Sequence, residues 1–323
     1  MQLRTGIRTP FLLAIFYVSL AIFLLGCGTG SATEQPATDR SSGEEVIEAV
    51  ATTGMVADMV QSIGGEHIQV TGLMGPGVDP HLFQATQGDV ALLSEADIIF
   101  YNGLGLEGKI ESILERMARQ KPTVAIAESV DESALHASQT YQGQPDPHIW
   151  FDVSLWAQTI DTVRDALIEL DPEHKDAFEA NADAYREQLQ ELHDWVQEEM
   201  SKIPDGQRVL VTAHDAFGYF GTAYDIEVVG LQGISTSAEY GLQDVQRLVD
   251  LVVERGIRAV FVESSISERS IQAVVEGARA RGHELVIGGT LYSDALGEAG
   301  TPEGTYIGMV RHNVREIVDA LSR

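Results

Sequence analysis

Four residues in four separate loop contexts carry the chemistry of this chain: His81 in VDPHLF, His148 in PDPHIWF, His214 in TAHDAFGYF and Asp294 in LYSDALG. Three imidazoles and one carboxylate make a complete protein-supplied shell for a transition metal, with little need for water or substrate as a fourth ligand. A closed shell suits carrying a metal better than reacting at it. Two of the histidines end the same tripeptide, Asp-Pro-His, at 79–81 and 146–148. The proline fixes its own φ and biases the preceding aspartate toward extended geometry, so each histidine is presented from a stiff, non-helical turn. The four positions lie roughly 67, 66 and 80 residues apart, consistent with two ligands from each of two lobes meeting in a cleft. Taken singly, each has a blander reading: His214 as a core histidine behind VLVTA, Asp294 as the N-cap of a short turn. The other six histidines, at 67, 136, 174, 193, 283 and 312, sit in charged or loop contexts without a second ligand at useful spacing, and are expected to be solvated or hydrogen-bonded.

The elements that must position these side chains alternate. From Glu45, VIEAVATT and HIQVTGLM read as strands around the helical MVADMVQSIGG; QATQGDVALLSEA is helical, ADIIFYNG a strand, EGKIESILERMARQ a helix and PTVAIAES a strand. The second half repeats the alternation with QRVLVTA, IEVVGLQ, RAVFVESS and ELVIGG as strands. Its helices are LQDVQRLVDLVVERG, SIQAVVEGARARG and a closing GMVRHNVREIVDALSR, with Gly256 and Gly282 at expected helix C-caps. The expected fold class is α/β, with two lobes of mostly parallel sheet flanked by helices. Open parallel sheets present ligands at the carboxyl edges of their strands, where His81, His148, His214 and Asp294 fall. Leu155 to Leu170 reads as one amphipathic helix ended by Asp171-Pro172. Residues 173–203 form a second run without glycine and with no proline, and its apolar stripe runs through Phe178, Ala182, Tyr185, Leu189, Leu192, Trp195 and Met200. About 30 helical residues span about 45 Å, long enough to run from one lobe into the other. The expected organisation is an N-terminal lobe over 46–172, a linking helix over 173–203 and a C-terminal lobe over 204–323.

The N-terminus says where such a molecule works. Arg4 and Arg8 precede an apolar run from Phe11 to Leu25, which stops at Leu24-Leu25-Gly26-Cys27. This reads as a secretory leader over 1–26, too short for a comfortable membrane span. Its end resembles a bacterial lipobox, so Cys27 is the expected lipidation site; as the chain's single cysteine it excludes an internal disulfide and any thiol-based metal site. Residues 27–45 are small and polar and read as a flexible tether. A formal charge of −28 repels nucleic acid and anionic lipid headgroups, so neither is an expected partner; a solvated acidic surface accounts for it.

The motifs DPHLF, DPHIWFD, HDAFGYFGTAYDIEVVGLQGIST, AVFVESSIS, GGTLYSDALG and GTYIGMVRHNV together resemble the metal-binding receptors, the substrate-binding lipoproteins, of bacterial zinc and manganese ABC transporters, of the TroA-like kind. The likeness covers essentially all of residues 46–323. It implies two α/β lobes bridged by one long helix, with Zn2+ or Mn2+ as transported ligand in the cleft between them. It also implies metal ligands at His81 and His148 from the first lobe and at His214 and Asp294 from the second. The expected partners are a cognate permease with a cytoplasmic ATPase, since the chain carries no GxxxxGK[ST] motif, and a membrane reached through the lipid on Cys27; a monomer fits a single docking role. Manganese-dedicated relatives usually carry a glutamate where this chain has His214, and zinc-dedicated ones often a long His-rich loop before the second ligand, whereas DESALHASQTYQGQPDP holds one non-ligand histidine. The donor set favours zinc in simple competition, and bidentate binding by Asp294 makes manganese tolerable. Asp79, Asp146, Asp152, Glu239 and Glu263 are candidate acceptors for the free ring N–H of the imidazoles, and Trp150, Phe151, Phe217 and Phe220 for an apolar wall. Two other readings compete: a zinc hydrolase with a three-histidine site and Asp294 activating water, and a surface adhesin, for which no motif speaks.

Overall fold

The computed structural model describes residues 46–137, 143–238 and 240–322. The expected leader, tether and Cys27, and Glu239, lie outside the described residues. The first lobe carries one parallel sheet in the order β2-β1-β3-β4, from β1 (Ile47–Ala51), β2 (Ile68–Gly72), β3 (Ile98–Tyr101) and β4 (Thr123–Ala125). Between the strands run α1 (Gly54–Gly64), α2 (Gln87–Glu95) and α3 (Glu111–Ala118). Two of them start on a side-chain cap: Thr53 accepts from Val56 N–H at the head of α1, and Thr86 with Asp89 forms a reciprocal capping box on α2.

The second lobe pairs β5 (Val209–His214) with β6 (Glu227–Gln232), and β7 (Ala259–Glu263) with β8 (Val286–Leu291), both in parallel. Its helices are α7 (Gly218–Tyr224), α8 (Leu242–Glu254), α9 (Arg269–Ala280) and α10 (Tyr306–Leu321). Gly256 and Gly282, at φ 65° and 80°, end α8 and α9 as expected. Beyond them Ile257 N–H reaches Val252 C=O and His283 N–H reaches Ala278 C=O, the six-to-one bond of a Schellman cap. The short α7 was not anticipated, because GYFGTAY carries two glycines and three aromatics; tertiary burial of Tyr219, Phe220 and Tyr224 overrides that weak propensity.

The linking segment differs from expectation in two ways. The run 155–170 is two helices, α4 (Val153–Gln158) and α5 (Ile160–Leu170), broken where the Thr159 hydroxyl bonds Trp156 C=O at 2.8 Å. The long helix is α6 (Lys175–Met200), 26 residues, or about 39 Å. Pro172–His174 is a separate 3₁₀ turn, and the chain tightens into another turn after Met200 ahead of Pro204. The buried stripe of α6 is Phe178, Ala182, Tyr185, Leu189, Leu192, Val196 and Met200. Val196 takes the place expected of Trp195, whose ring sits at the edge under the Arg311 guanidinium, 4.7 Å from its centroid.

The core has three parts. A central cluster joins α1, α4, α5, α6 and α10 to strands of both lobes, including Ile98, Phe100, Leu210 and Phe261. A second lies between the C-terminal sheets and α8 and α9, and a third between β1, β3, α2 and α3. Each lobe thus has its own sheet or sheets and outer helices, and the two share one inner core built on the long helix. This arrangement brings the carboxyl ends of β2, β5 and β8 to one cleft.

Candidate metal centre

Two Asp-Pro-His turns deliver the first pair of side chains. In each, the aspartate Oδ1 accepts the peptide N–H of the histidine two residues on, at 2.9 Å from His81 and 3.0 Å from His148. The proline between them sets the bend, so both histidines leave the backbone in a conformation dictated within three residues. His214 is the last residue of β5, and Asp294 lies in the turn after β8. All four side chains are buried.

The four meet. One ligand atom from each of His81, His148, His214 and Asp294 lies within 4.8 Å of all the others. His81 Nε2 and His148 Nε2 are 3.3 Å apart; Asp294 Oδ1 is 3.5 Å from His148 Nε2, and Asp294 Oδ2 is 3.3 Å from His214 Nε2 and 3.9 Å from His81 Nε2. Donors placed about 2.0–2.1 Å from a tetrahedral centre stand about 3.3 Å apart, so the spacing fits a four-coordinate ion of zinc's size. The buried oxygens of Asp294 and His214 Nε2 make no aligned hydrogen bonds, which an array built for internal hydrogen bonding would have supplied.

Behind the rings stand the acids that orient them. Asp146 Oδ1 lies 2.6 Å from His148 Nδ1, and Glu263 Oε2 lies 2.5 Å from His214 Nδ1 while its other oxygen accepts the His214 peptide N–H at 2.8 Å. Each carboxylate holds the proton on Nδ1 and turns the Nε2 lone pair into the cleft. Of the other acids expected there, Asp79 bonds the His81 peptide, and Asp152 caps α4 through Ser154 and Leu155 N–H, so it has no part in the site.

Charge is distributed accordingly. Burial pulls the His81 ring down to about 3, with the neighbouring His148 and His214 rings adding to that and Asp294 opposing it. For His148, burial is outweighed by Asp146 and Asp294, and the ring is pushed up to about 9. His214 is likewise raised, against its burial, by Glu263 and Asp294, and Asp294 is held well below the usual carboxylate range despite burial by the same two rings. The two raised rings thus favour the charged form of Asp294, the form that a cation needs.

Further residues complete the frame. Trp150, one of the four aromatics expected as an apolar wall, donates its indole N–H to Ser293 C=O at 3.1 Å, beside Asp294, and lies edge-on to His148 with centroids 5.1 Å apart; Tyr306, which the sequence did not single out, donates to Trp150 C=O at 2.7 Å. The other three pack on one another, Phe151 stacked on Phe217 at 4.1 Å and Phe220 edge-on to Phe217. Glu107, fully buried, accepts from Thr52 Oγ1 and from the Asn102 and Gly103 N–H groups, tying together the ends of β1 and β3, and Asn102 in turn donates to Pro147 C=O inside the second Asp-Pro-His turn. An acid between glycines just after a strand, GLGLEG, was the signal for it. The six remaining histidines take structural places: His67 stacks on His174, His136 on Tyr219 and His193 against Tyr224, while His283 and His312 bond Ile257 and Thr290 C=O.

With this geometry in hand, comparison with known proteins decides the family. The family model described as zinc-uptake complex component A, periplasmic, matches residues 49–320. The chain belongs to this family. The manganese-binding lipoprotein MntA of Bacillus subtilis is 49% identical over 315 residues, covering 97% of this chain and 99% of that protein. The zinc-binding protein TroA of Treponema pallidum is 42% identical over 306 residues, covering 95% and 98%. The solved structure of that periplasmic zinc-binding protein superposes with a TM-score of 0.84 at 45% identity, covering 86% of this chain and all of the other. The zinc-uptake family is one of transporter components, so the hydrolase reading has no footing in it, and the relatives named are lipoproteins or periplasmic binding proteins. Among the described residues no helix is long and apolar enough to cross a membrane.

Proposed function

We propose that this protein is the extracytoplasmic receptor of a zinc or manganese ABC importer: it captures Zn2+ or Mn2+ between its lobes and hands the ion to a separate permease driven by a cytoplasmic ATPase. One observation carries the reading: four buried donors, two from each lobe, stand at the mutual distances of a single coordination shell, with a carboxylate on the far nitrogen of His148 and of His214. His81, His148 and His214 bind through Nε2 and Asp294 through one or both oxygens. The ligand count leaves no open position for an attacking water, which supports carriage over catalysis. Removal of residues 1–26 and a diacyl lipid on Cys27 hold the receptor at the membrane, with residues 27–45 as its tether; two acyl chains anchor firmly where one is marginal. It acts as a monomer. Lobe boundaries at 46–172 and 204–323, with 173–203 between them, complete this reading.

The test is a competition titration of metal-free protein with Zn2+ and Mn2+, repeated with Asp294→Ala. Loss of tight binding in the variant is expected, with zinc held more tightly than manganese by the wild type. Unchanged zinc affinity without Asp294 would leave an open three-histidine site and overturn the carrier reading.

A further inference from the structure

We propose that Asp79 and Thr236 form a latch across the cleft that sets how fast the bound ion leaves, a role that rests on the receptor reading above. Between the end of β2 at Gly72 and the start of α2 at Gln87 the chain has no helix or strand, and His81 sits in that span. Its first residues are pinned to the sheet, Leu73 N–H to Ala51 C=O and Met74 N–H to Thr52 C=O; further along, Val78 and Leu82 bond only within the span. What crosses the cleft is Asp79. One of its oxygens accepts the His81 peptide N–H at 2.9 Å, and the other accepts the Thr236 hydroxyl of the second lobe at 2.6 Å. The same span leans on that lobe at Gly77, where an added Cβ would lie 3.5 Å from Ser264 C=O.

Thr236 belongs to an equally irregular span, between the end of β6 at Gln232 and the start of α8 at Leu242. That span is braced from within: Gln232 Nε2 donates to Thr236 C=O at 2.7 Å, and Ser235 and Ser237 share a 2.7 Å hydroxyl bond. A braced loop therefore holds, through one hydroxyl, the carboxylate that shapes the turn of a ligand. Lifting His81 away from the ion requires that hydroxyl to let go. Asp79 and Thr236 touch no ion themselves and are positioning residues; their bond forms only when the two cleft loops meet as they do here, so its contribution falls on release rather than on the donor set. Hydrogen bonds to a charged acceptor are the stronger kind, and this one is half-buried, which puts its effect at about tenfold in rate.

The experiment is stopped-flow release of Zn2+ from the loaded intact protein into excess chelator, for wild type, Thr236→Val and Thr236→Ser. Valine keeps the shape and removes the donor; serine keeps the donor. Release about tenfold faster in Thr236→Val and near wild type in Thr236→Ser, with the thermal midpoint of metal-free protein unchanged in both, is the expected result. Equal release rates in wild type and Thr236→Val overturn the latch, and so does a lowered metal-free midpoint that accounts for faster release by general loosening. A wild type that takes up no Zn2+ fails at the receptor reading instead and brings the latch down with it, so the two failures are told apart before any variant is compared.

Discussion

Neutral imidazole is an ordinary ligand, and what distinguishes His148 and His214 is the carboxylate on the far nitrogen of each. Glu263 does two things for His214, bonding ring and backbone alike, so it sets both rotation and position. Glu263→Gln keeps the volume and loses the charge. We expect zinc affinity to fall by about 10–100-fold while the fold persists, read by competition against a calibrated chelator; an unchanged affinity would mean the carboxylate only fills space. Glu107 makes a different prediction. Burial raises its pKa from the ordinary carboxylate value, against the hydrogen bonds from Thr52, Asn102 and Gly103 that favour the charged form. A group raised in the folded state contributes stability that is fully present below its unfolded value and lost as pH rises through its folded value. The variant Glu107→Gln should therefore lose this part of the pH dependence, so that wild type gains on it as pH is lowered through the folded value of Glu107 toward the ordinary glutamate value, measured by the denaturant midpoints of both at each pH. Parallel midpoints across that range would contradict the assignment.

Helix α6 is the element whose amphipathic pattern does most for the molecule. It has charged residues on most of its surface and seven buried positions along one stripe, so its stability comes from packing rather than from propensity. That stripe meets α1, α4, α5 and α10, elements of both lobes, which makes α6 a shared wall more than a flexible strap. Leu189 is fully buried near its middle. Leu189→Ala should cost about 2–5 kcal/mol, by lost transfer energy and the cavity left behind, and should lower the unfolding midpoint as a single cooperative transition. Two separated transitions would show instead that the lobes unfold independently of the helix between them.

At the scale of the whole molecule, a helix embedded in a common core resists the wide closure that paired loop hinges permit. Loading is therefore expected to move the cleft loops and leave the lobes close to where they stand. Scattering from metal-free and loaded protein should give nearly the same radius of gyration, and a large compaction would count against a rigid linking helix. Metal bound only by the folded state should stabilise it by about 2.7 kcal/mol at a hundredfold excess over the dissociation constant, seen as a rise in thermal midpoint that, at equal ion concentration, is larger for zinc than for manganese. No rise with either ion would contradict a site assembled from both lobes.

Much of this was legible in the residues. The α/β alternation, the capping glycines at 256 and 282 and the stiff Asp-Pro-His turns depend on interactions within a few positions of the chain, and periodicity and turn chemistry report those directly. What was local could still mislead at an edge: Trp195 for Val196 and an unforeseen α7 were decided by burial against distant elements, and one helix for α4 and α5 by the Thr159 hydroxyl turning back onto Trp156 C=O. The tertiary structure alone decided which acid serves which donor. Glu263 reaches His214 across 49 residues, Trp150 reaches Ser293 across 143 and Thr236 reaches Asp79 across 157, while Asp152, equally plausible in the sequence, turned away to cap a helix. Carboxylates are interchangeable as letters. Only the packing of two lobes on one helix brings a particular oxygen within hydrogen-bonding reach of a particular ring, because that interaction dies within an ångström or so of its best distance and no pattern along the chain encodes it.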